Sequence, residues 1–332
     1  MLSLKRMRNS NVIAMSKQSE WYISFHGGTD NNEFNNIHVY SNDGRELRKA
    51  LDRDHLPPGV ELRELRGFTF GPDGSLYVAN AFREFSQVLR FDGKLDKQEQ
   101  HRFTDMFVSS DAATNPGLSH PYAVTFDARG DLYVSSQNTN LVLRYHGPDS
   151  KDGKSGAPMP PASALGNSKS SVFSPGTFCA ASSQVPHGLQ AVRGAAFIGG
   201  LLYVVDRDSD CVRKFDPATG ADCGSITADG LIDKPIQAIA HEGTLYIGNR
   251  GADSVVKCDL RSEKVTPFIQ SKAGGLKNPS GMAVGDDGWF YVASRSSRQI
   301  LRYRFDDGFP GDKPFIDKLD DDPEFLVPVN RN

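Results

Sequence analysis

Apolar and polar positions along this chain alternate in short runs, and one run recurs. Six times an aromatic residue or leucine is followed by tyrosine and then by valine or isoleucine: Trp21-Tyr22-Ile23, Leu76-Tyr77-Val78, Leu132-Tyr133-Val134, Leu202-Tyr203-Val204, Leu245-Tyr246-Ile247 and Phe290-Tyr291-Val292. Short β-branched and aromatic runs bounded by turn residues predict strands. A second strand follows each and ends on an aromatic residue, at Tyr40, Phe91, Tyr145, Phe215 and Tyr303, with Cys258 in the fifth copy. In the last four copies this residue lies 12 positions after the repeat tyrosine. Ahead of each tyrosine comes another apolar strand and a Gly/Asp turn, as in "GFTFGPDGS" at 67–75 and "GMAVGDDGW" at 281–289. Such residues suit the positive φ angles of tight hairpins. The first copy, "VIAMSKQSE" at 12–20, lacks the turn glycine but keeps the distance. Outer fourth strands are expected at "EQHRFT" (99–104), "KVTPFI" (264–269) and "DKPFID" (312–317).

Four antiparallel strands repeated at intervals of 43 to 70 residues describe a blade. A lone four-stranded sheet cannot bury both faces, whereas sheets packed around an axis bury one another. The expected fold is therefore all-β, a six-bladed β-propeller of four-stranded antiparallel blades. It is read as a single domain over 1–332, with blades near 11–60, 61–110, 119–180, 190–230, 234–272 and 278–318 and a closing tail at 319–332. The repeat aromatics are read as packing pieces.

Composition agrees with this picture and removes some functions. The 332 residues are 38% hydrophobic and 24% charged, with 32 Gly and 19 Pro, as expected for many short strands joined by turns. A net charge of -3 without a long basic block argues against nucleic acid as a partner. The most apolar stretch, "AAFIGGLLYVV" at 195–205, is too short for a membrane helix. "MLSLKRMRNSNVIAM" lacks the apolar segment of a secretory signal, so the expected location is cytoplasmic. Cys179, Cys211, Cys223 and Cys258 show no metal-ligand spacing and are expected to be reduced.

The sixth copy, "NPSGMAVGDDGWFYVASRSSRQILRYRF", and the fourth, "RGAAFIGGLLYVVDRDSDCVRKFD", resemble the NHL-repeat pattern. The resemblance covers blades 2 to 6 well and blade 1 loosely. It points to a superfamily that includes gluconolactonase-like (senescence-marker-protein-like) hydrolases, streptogramin lyases and non-catalytic binding propellers. Fold alone does not choose among them. In the gluconolactonase-like enzymes a Glu of the first inner strand and Asn/Asp residues of later blades hold a divalent ion. By that resemblance Asn80, Asp206 and Asn249, each three residues after a repeat tyrosine, would hold a cation such as Ca²⁺ or Mg²⁺. The Glu has no counterpart, because Glu20 falls on a hairpin at the other end of its blade. Phe25, Ser136 and Ser294 complete the ring, and an Asp at this position in NHL repeats also ties down its own loop. "PHGL" at 186–189 is similar to the streptogramin-lyase repeat opening, without the lyases' histidine in blade 6.

In a propeller, the loops after the second strands and the loops between blades converge on one mouth of the axial channel, where ligand sites form. Arginines gather on these loops. Arg207, Arg250 and Arg295 share one repeat position, four after the tyrosine, and Arg66, Arg83 and Arg193 fall near the same end. Guanidinium groups fork onto carboxylates and phosphates, so the expected partner is an anionic small-molecule or oligomeric ligand, with Gln137 and Asn138 as further contacts. His120 and His187, in successive inter-blade loops, are the candidate bases. The expected function is binding of such an anion at the channel mouth, with hydrolase or lyase activity. The alternative is a non-catalytic scaffold for a protein or peptide.

Overall fold

A computed structural model describes residues 19–27, 32–82, 86–166 and 173–330. Six antiparallel sheets form the blades. Blades 2 to 5 each run from an innermost strand to an outer one in chain order; blade 2, for example, comprises Leu65–Phe70, Leu76–Asn80, Gln87–Leu95 and His101–Ser109. The six innermost strands pack in a closed circuit, each against the next, and this makes the molecule a six-bladed β-propeller. No helix among the described residues is long and apolar enough to cross a membrane.

Two blades depart from expectation. In blade 1 the place beside Ser19–Phe25 belongs to Pro323–Asn330, paired from Ser19↔Asn330 to Phe25↔Pro323. The C-terminal strand therefore takes the innermost position expected of 12–20, joining the two ends of the ring by backbone hydrogen bonds. Ser19 and Glu20 lie in the second strand, and residues 11–18 lie outside the described residues. In blade 6 three strands are continuous. The outer position expected of 312–317 holds a single bridge, Ile300↔Ile316, with a second, Tyr303↔Pro310, just before it.

The repeat tyrosines pack as the hydrophobic pattern requires. All six are buried. Tyr77 stands edge-on between Phe107 of its own blade at 5.0 Å and Phe126 of the next at 4.9 Å; Tyr133 repeats this with Phe178 and Phe197, both at 4.9 Å. At the ring closure Tyr291 lies 4.2 Å from Trp21. The edge-to-face contacts of Tyr77 and Tyr133 add to the area each ring buries. Near the axis the innermost strands come closer than side chains allow. A Cβ on Gly281 would stand 2.8 Å from the Glu324 carbonyl oxygen, and one on Gly67 2.7 Å from that of Tyr122. Glycine at these positions lets neighbouring inner strands pack backbone to backbone.

Candidate functional site

One backbone irregularity, repeated in every blade, builds the axial site. Pairing between the first and second strands slips by a residue at Leu65/Phe68, Pro121/Val124, Val192/Ala195, Pro235/Gln237 and Pro279/Met282, and at Ser24/Phe25 opposite the C-terminal strand. A bulge turns the extra residue out of the ladder and re-aims its side chain. The residue re-aimed at the axis is Glu324, Arg66, Tyr122, Arg193, Ile236 and Ser280 in blades 1 to 6, and all six line one cavity of about 280 Å³. The loops after the second strands add His26, Gln137, Arg207, Arg250 and Arg295, and His120 enters from the loop before blade 3.

The charges in this cavity are divided across the axis. On the side of blades 6, 1 and 2, Glu324 is 4% exposed. Its Oε1 accepts a hydrogen bond from Arg295 Nε at 2.9 Å and lies 3.4 Å from His26 Nδ1. Arg66 Nη2 lies 3.0 Å from the same His26 nitrogen and 3.4 Å from Glu64 Oε2. Burial alone would raise the Glu324 pKa, but the nearby charges of Arg66 and Arg295 outweigh it and hold it at about 2.

On the side of blades 4 and 5 stand Arg193, Arg207 and Arg250. Arg207 is engaged with Asp208, Nε to Oδ1 at 2.7 Å. Arg193, 7% exposed, donates to the Val192 carbonyl at 2.7 Å. Among the described residues neither Arg193 nor Arg250 has a carboxylate partner. Burial, and then the neighbouring guanidinium groups of Arg207 and Arg250, push the Arg193 pKa down to about 10. Between the two halves His120 is held neutral, with its pKa lowered to about 4 by burial first and the Arg66 charge second. The cavity thus offers two uncommitted guanidiniums beside a neutral imidazole.

No protein-family model and no curated protein sequence matches the chain. Solved structures do. A chain of the nidogen/laminin complex aligns with a TM-score of 0.60 at 11% identity, covering 93% of this chain and 98% of that one. A Bacteroides fragilis protein provisionally assigned as a 6-phosphogluconolactonase gives 0.59 at 14% identity, covering 96% and 99%. A catalytically inactive variant of virginiamycin B lyase from Staphylococcus aureus, solved with quinupristin, gives 0.56 at 11% identity, covering 95% and 93%. These likenesses agree with the six-bladed propeller fold seen in the sheet order. At such identities the likeness extends to the fold alone.

Several residues singled out in the sequence stand elsewhere. Asn80, Asp206 and Asn249 are buried but do not line the cavity; each holds the loop leading into its own blade. Asn80 Oδ1 accepts from the Arg63 amide at 2.8 Å while its Nδ2 donates to the Glu61 carbonyl at 2.8 Å. Asp206 accepts from the Ala191 amide at 2.8 Å and from the Ser209 hydroxyl at 2.9 Å, and Asn249 Nδ2 donates to the Leu231 carbonyl at 2.7 Å. Ser136 and Ser294 do the same for blades 3 and 6. Amide groups turned to carbonyls and a carboxylate filled by amide donors do not fit a divalent cation. Among the described residues no three His, Cys, Asp or Glu side chains are grouped to hold one. A glutamate does reach the axis from the innermost strand of blade 1: Glu324, supplied by the C-terminal strand and held by cationic side chains.

His187 is exposed on the turn before blade 4, where its carbonyl accepts from Arg213 at 2.6 Å. It lies outside the cavity and is not brought near His120, because the position equivalent to Pro121 in blade 4 is Val192. Asn138 is exposed at the rim, 3.4 Å from the Ser119 hydroxyl. Arg83 lies outside the described residues. The four cysteines are free; Val212 pairs with Ile226, which keeps Cys211 and Cys223 at different levels of blade 4.

Proposed function

We propose that the protein binds a small anionic molecule, bearing a carboxylate or phosphate, in the axial mouth, and that His120 acts as proton acceptor there, from the attacking water in a hydrolase reaction or from the ligand itself in a lyase reaction. The observation that carries this reading is the pair Arg193 and Arg250, two guanidiniums in one cavity without a carboxylate partner among the described residues. Arg193 is buried and Arg250 half-buried; a buried cation is normally neutralised within the fold, and an arriving anion would supply what Arg193 lacks. Guanidiniums in a partly closed cavity can also stabilise negative charge developing on a carbonyl oxygen. The imidazole is unprotonated at neutral pH, as a general base must be, and an anion seated beside Arg66 and Arg193 would offset the charges that, after burial, lower its basicity. A concavity of about 280 Å³ suits a small molecule, or the terminal unit of an oligomeric anion, better than the flat face of a protein partner.

The binding half is tested by calorimetry and thermal melting with inorganic phosphate and small carboxylates at pH 7. Saturable binding is expected for the wild type and its loss in Arg193→Met and Arg250→Met; binding that survives both substitutions refutes the site. The reaction half is tested by mass spectrometry of small anionic lactones and esters after incubation. Hydrolysis adds one water and elimination adds none, and His120→Asn should abolish either while leaving binding in place.

A further inference from the structure

The two halves of the cavity differ in a way that bears on ligand charge. Glu324, Arg66, Arg295 and His26 come from three consecutive blades and satisfy one another. Arg295 is further committed to Asp322, with Nη2 to Oδ2 at 3.6 Å, and Arg66 to Glu64 at 3.4 Å. Across the axis Arg193 and Arg250 have no such carboxylate among the described residues. An anion entering the mouth meets uncommitted guanidiniums on one side and a buried carboxylate on the other. A group reaching the second side must displace Glu324 from its partners or lie against it. Like charges juxtaposed in a desolvated site are strongly unfavourable.

We propose that Glu324 determines specificity: as a built-in anion it occupies one half of the axial site, so that the site accepts a molecule with one anionic group and a neutral far end and turns away one with a second anionic group. The inference rests on the anion-binding reading above and adds a charge rule to it. It also gives the C-terminal strand a role beyond ring closure, because that strand delivers Glu324.

The test compares 3-hydroxybutyrate with malate, which differ in carrying a methyl or a carboxylate at one end, by calorimetry on the full chain at pH 7, with inorganic phosphate as a probe of the parent reading. The wild type is expected to bind 3-hydroxybutyrate at least about tenfold more tightly than malate, about 1.4 kcal/mol. Glu324→Gln, with its fold checked by melting, is expected to shift that ratio toward malate by at least about tenfold, through gained malate affinity. A folded Glu324→Gln with an unchanged ratio overturns the proposal, as does a wild type that binds malate as tightly as 3-hydroxybutyrate. If Glu324→Gln does not fold, the double variant Glu324→Gln/Arg295→Gln, which removes both charges of the pair, must show the same shift. If the wild type binds neither phosphate nor 3-hydroxybutyrate, the parent reading fails and the charge rule falls with it. Phosphate binding without the malate discrimination defeats the charge rule alone.

Discussion

Replacing Arg193 by methionine should stabilise the protein while abolishing the proposed anion binding. Arg193 is 7% exposed and has no carboxylate partner among the described residues, and its pKa falls from 12.5 to about 10 through burial and the charges of Arg207 and Arg250. Each pKa unit corresponds to ~1.4 kcal/mol, so holding the charged form inside the fold costs about 3 kcal/mol relative to the unfolded chain. Because the folded pKa lies below the unfolded one, the cost applies at every pH below about 10 and is fully present at pH 7. Methionine keeps much of the apolar stem and packs adaptably. With an unfolding entropy of ~2.1 cal/mol/K per residue, a chain of 332 residues should melt higher by roughly 4 °C. The assay is thermal melting followed by circular dichroism, in a buffer without phosphate, sulfate or carboxylates, since any of these could bind wild type and hide the difference. Adding phosphate should then raise the wild-type midpoint and leave Arg193→Met where it was. A variant that melts below wild type in the anion-free buffer, or one that still responds to phosphate, would refute the view of Arg193 as a strained ligand-binding cation.

Acid should weaken the fold in two stages. The folded pKa of His120, about 4, lies below its ordinary 6.5, so its contribution is present above pH 6.5 and is lost as pH falls toward 4. That of Glu324 follows between 4.5 and about 2. Urea midpoints at pH 7 and pH 4.5 check the first stage, and equal midpoints would contradict the burial assigned to His120. Tyr246→Ala should cost ~3–5 kcal/mol, as large aromatic truncations do, because the ring lies 5.0 Å from both Phe268 and Phe290; urea titration measures this. Arg295→Ala should destabilise by ~1–3 kcal/mol, measured in the same way, since it leaves Glu324 buried with a donor removed.

The packing was legible because hydrophobic period and burial share a cause. Each repeat tyrosine sits in a strand covered on both faces, and its neighbours along the chain had to be apolar. Ring closure was less legible. The position beside Ser19–Phe25 could be filled from either end of the chain, and 12–20 keeps the repeat distance as well as 323–330 keeps the strand pattern. Glu324 was missed for that reason. A signal for it existed: Pro121, Pro235, Pro279 and Pro323 each open an innermost strand, and the residue after each faces the axis. The same landmark separates the two histidines, because His120 directly precedes Pro121 whereas His187 lies five residues before Val192, the equivalent position. Asn80, Asp206 and Asn249 were placed correctly along their strands, but side-chain direction at a strand end depends on the loop it must hold, and nothing in the spacing reports that.

A residue added to a strand is usually a local matter, yet here it decides the chemistry of the whole site. Because the six innermost strands are radially equivalent, one bulge per blade sends six side chains to a common depth on the axis. The fold supplies the positions and leaves their identity open, which is why chains sharing it at 11–14% identity need share nothing at the mouth. In this chain the positions hold Glu, Arg, Tyr, Arg, Ile and Ser, and the carboxylate is close enough to neutralise cations on its own side only. Asp208 lies near enough to act on Arg193 but is engaged by Arg207; a carboxylate in contact with Arg193 would have completed the charge balance and filled the site from within. What the arrangement retains instead is an unbalanced cationic half facing an open cavity, a state that costs folding energy and that, on the anion-binding proposal, would couple occupancy of the mouth to the stability of the ring.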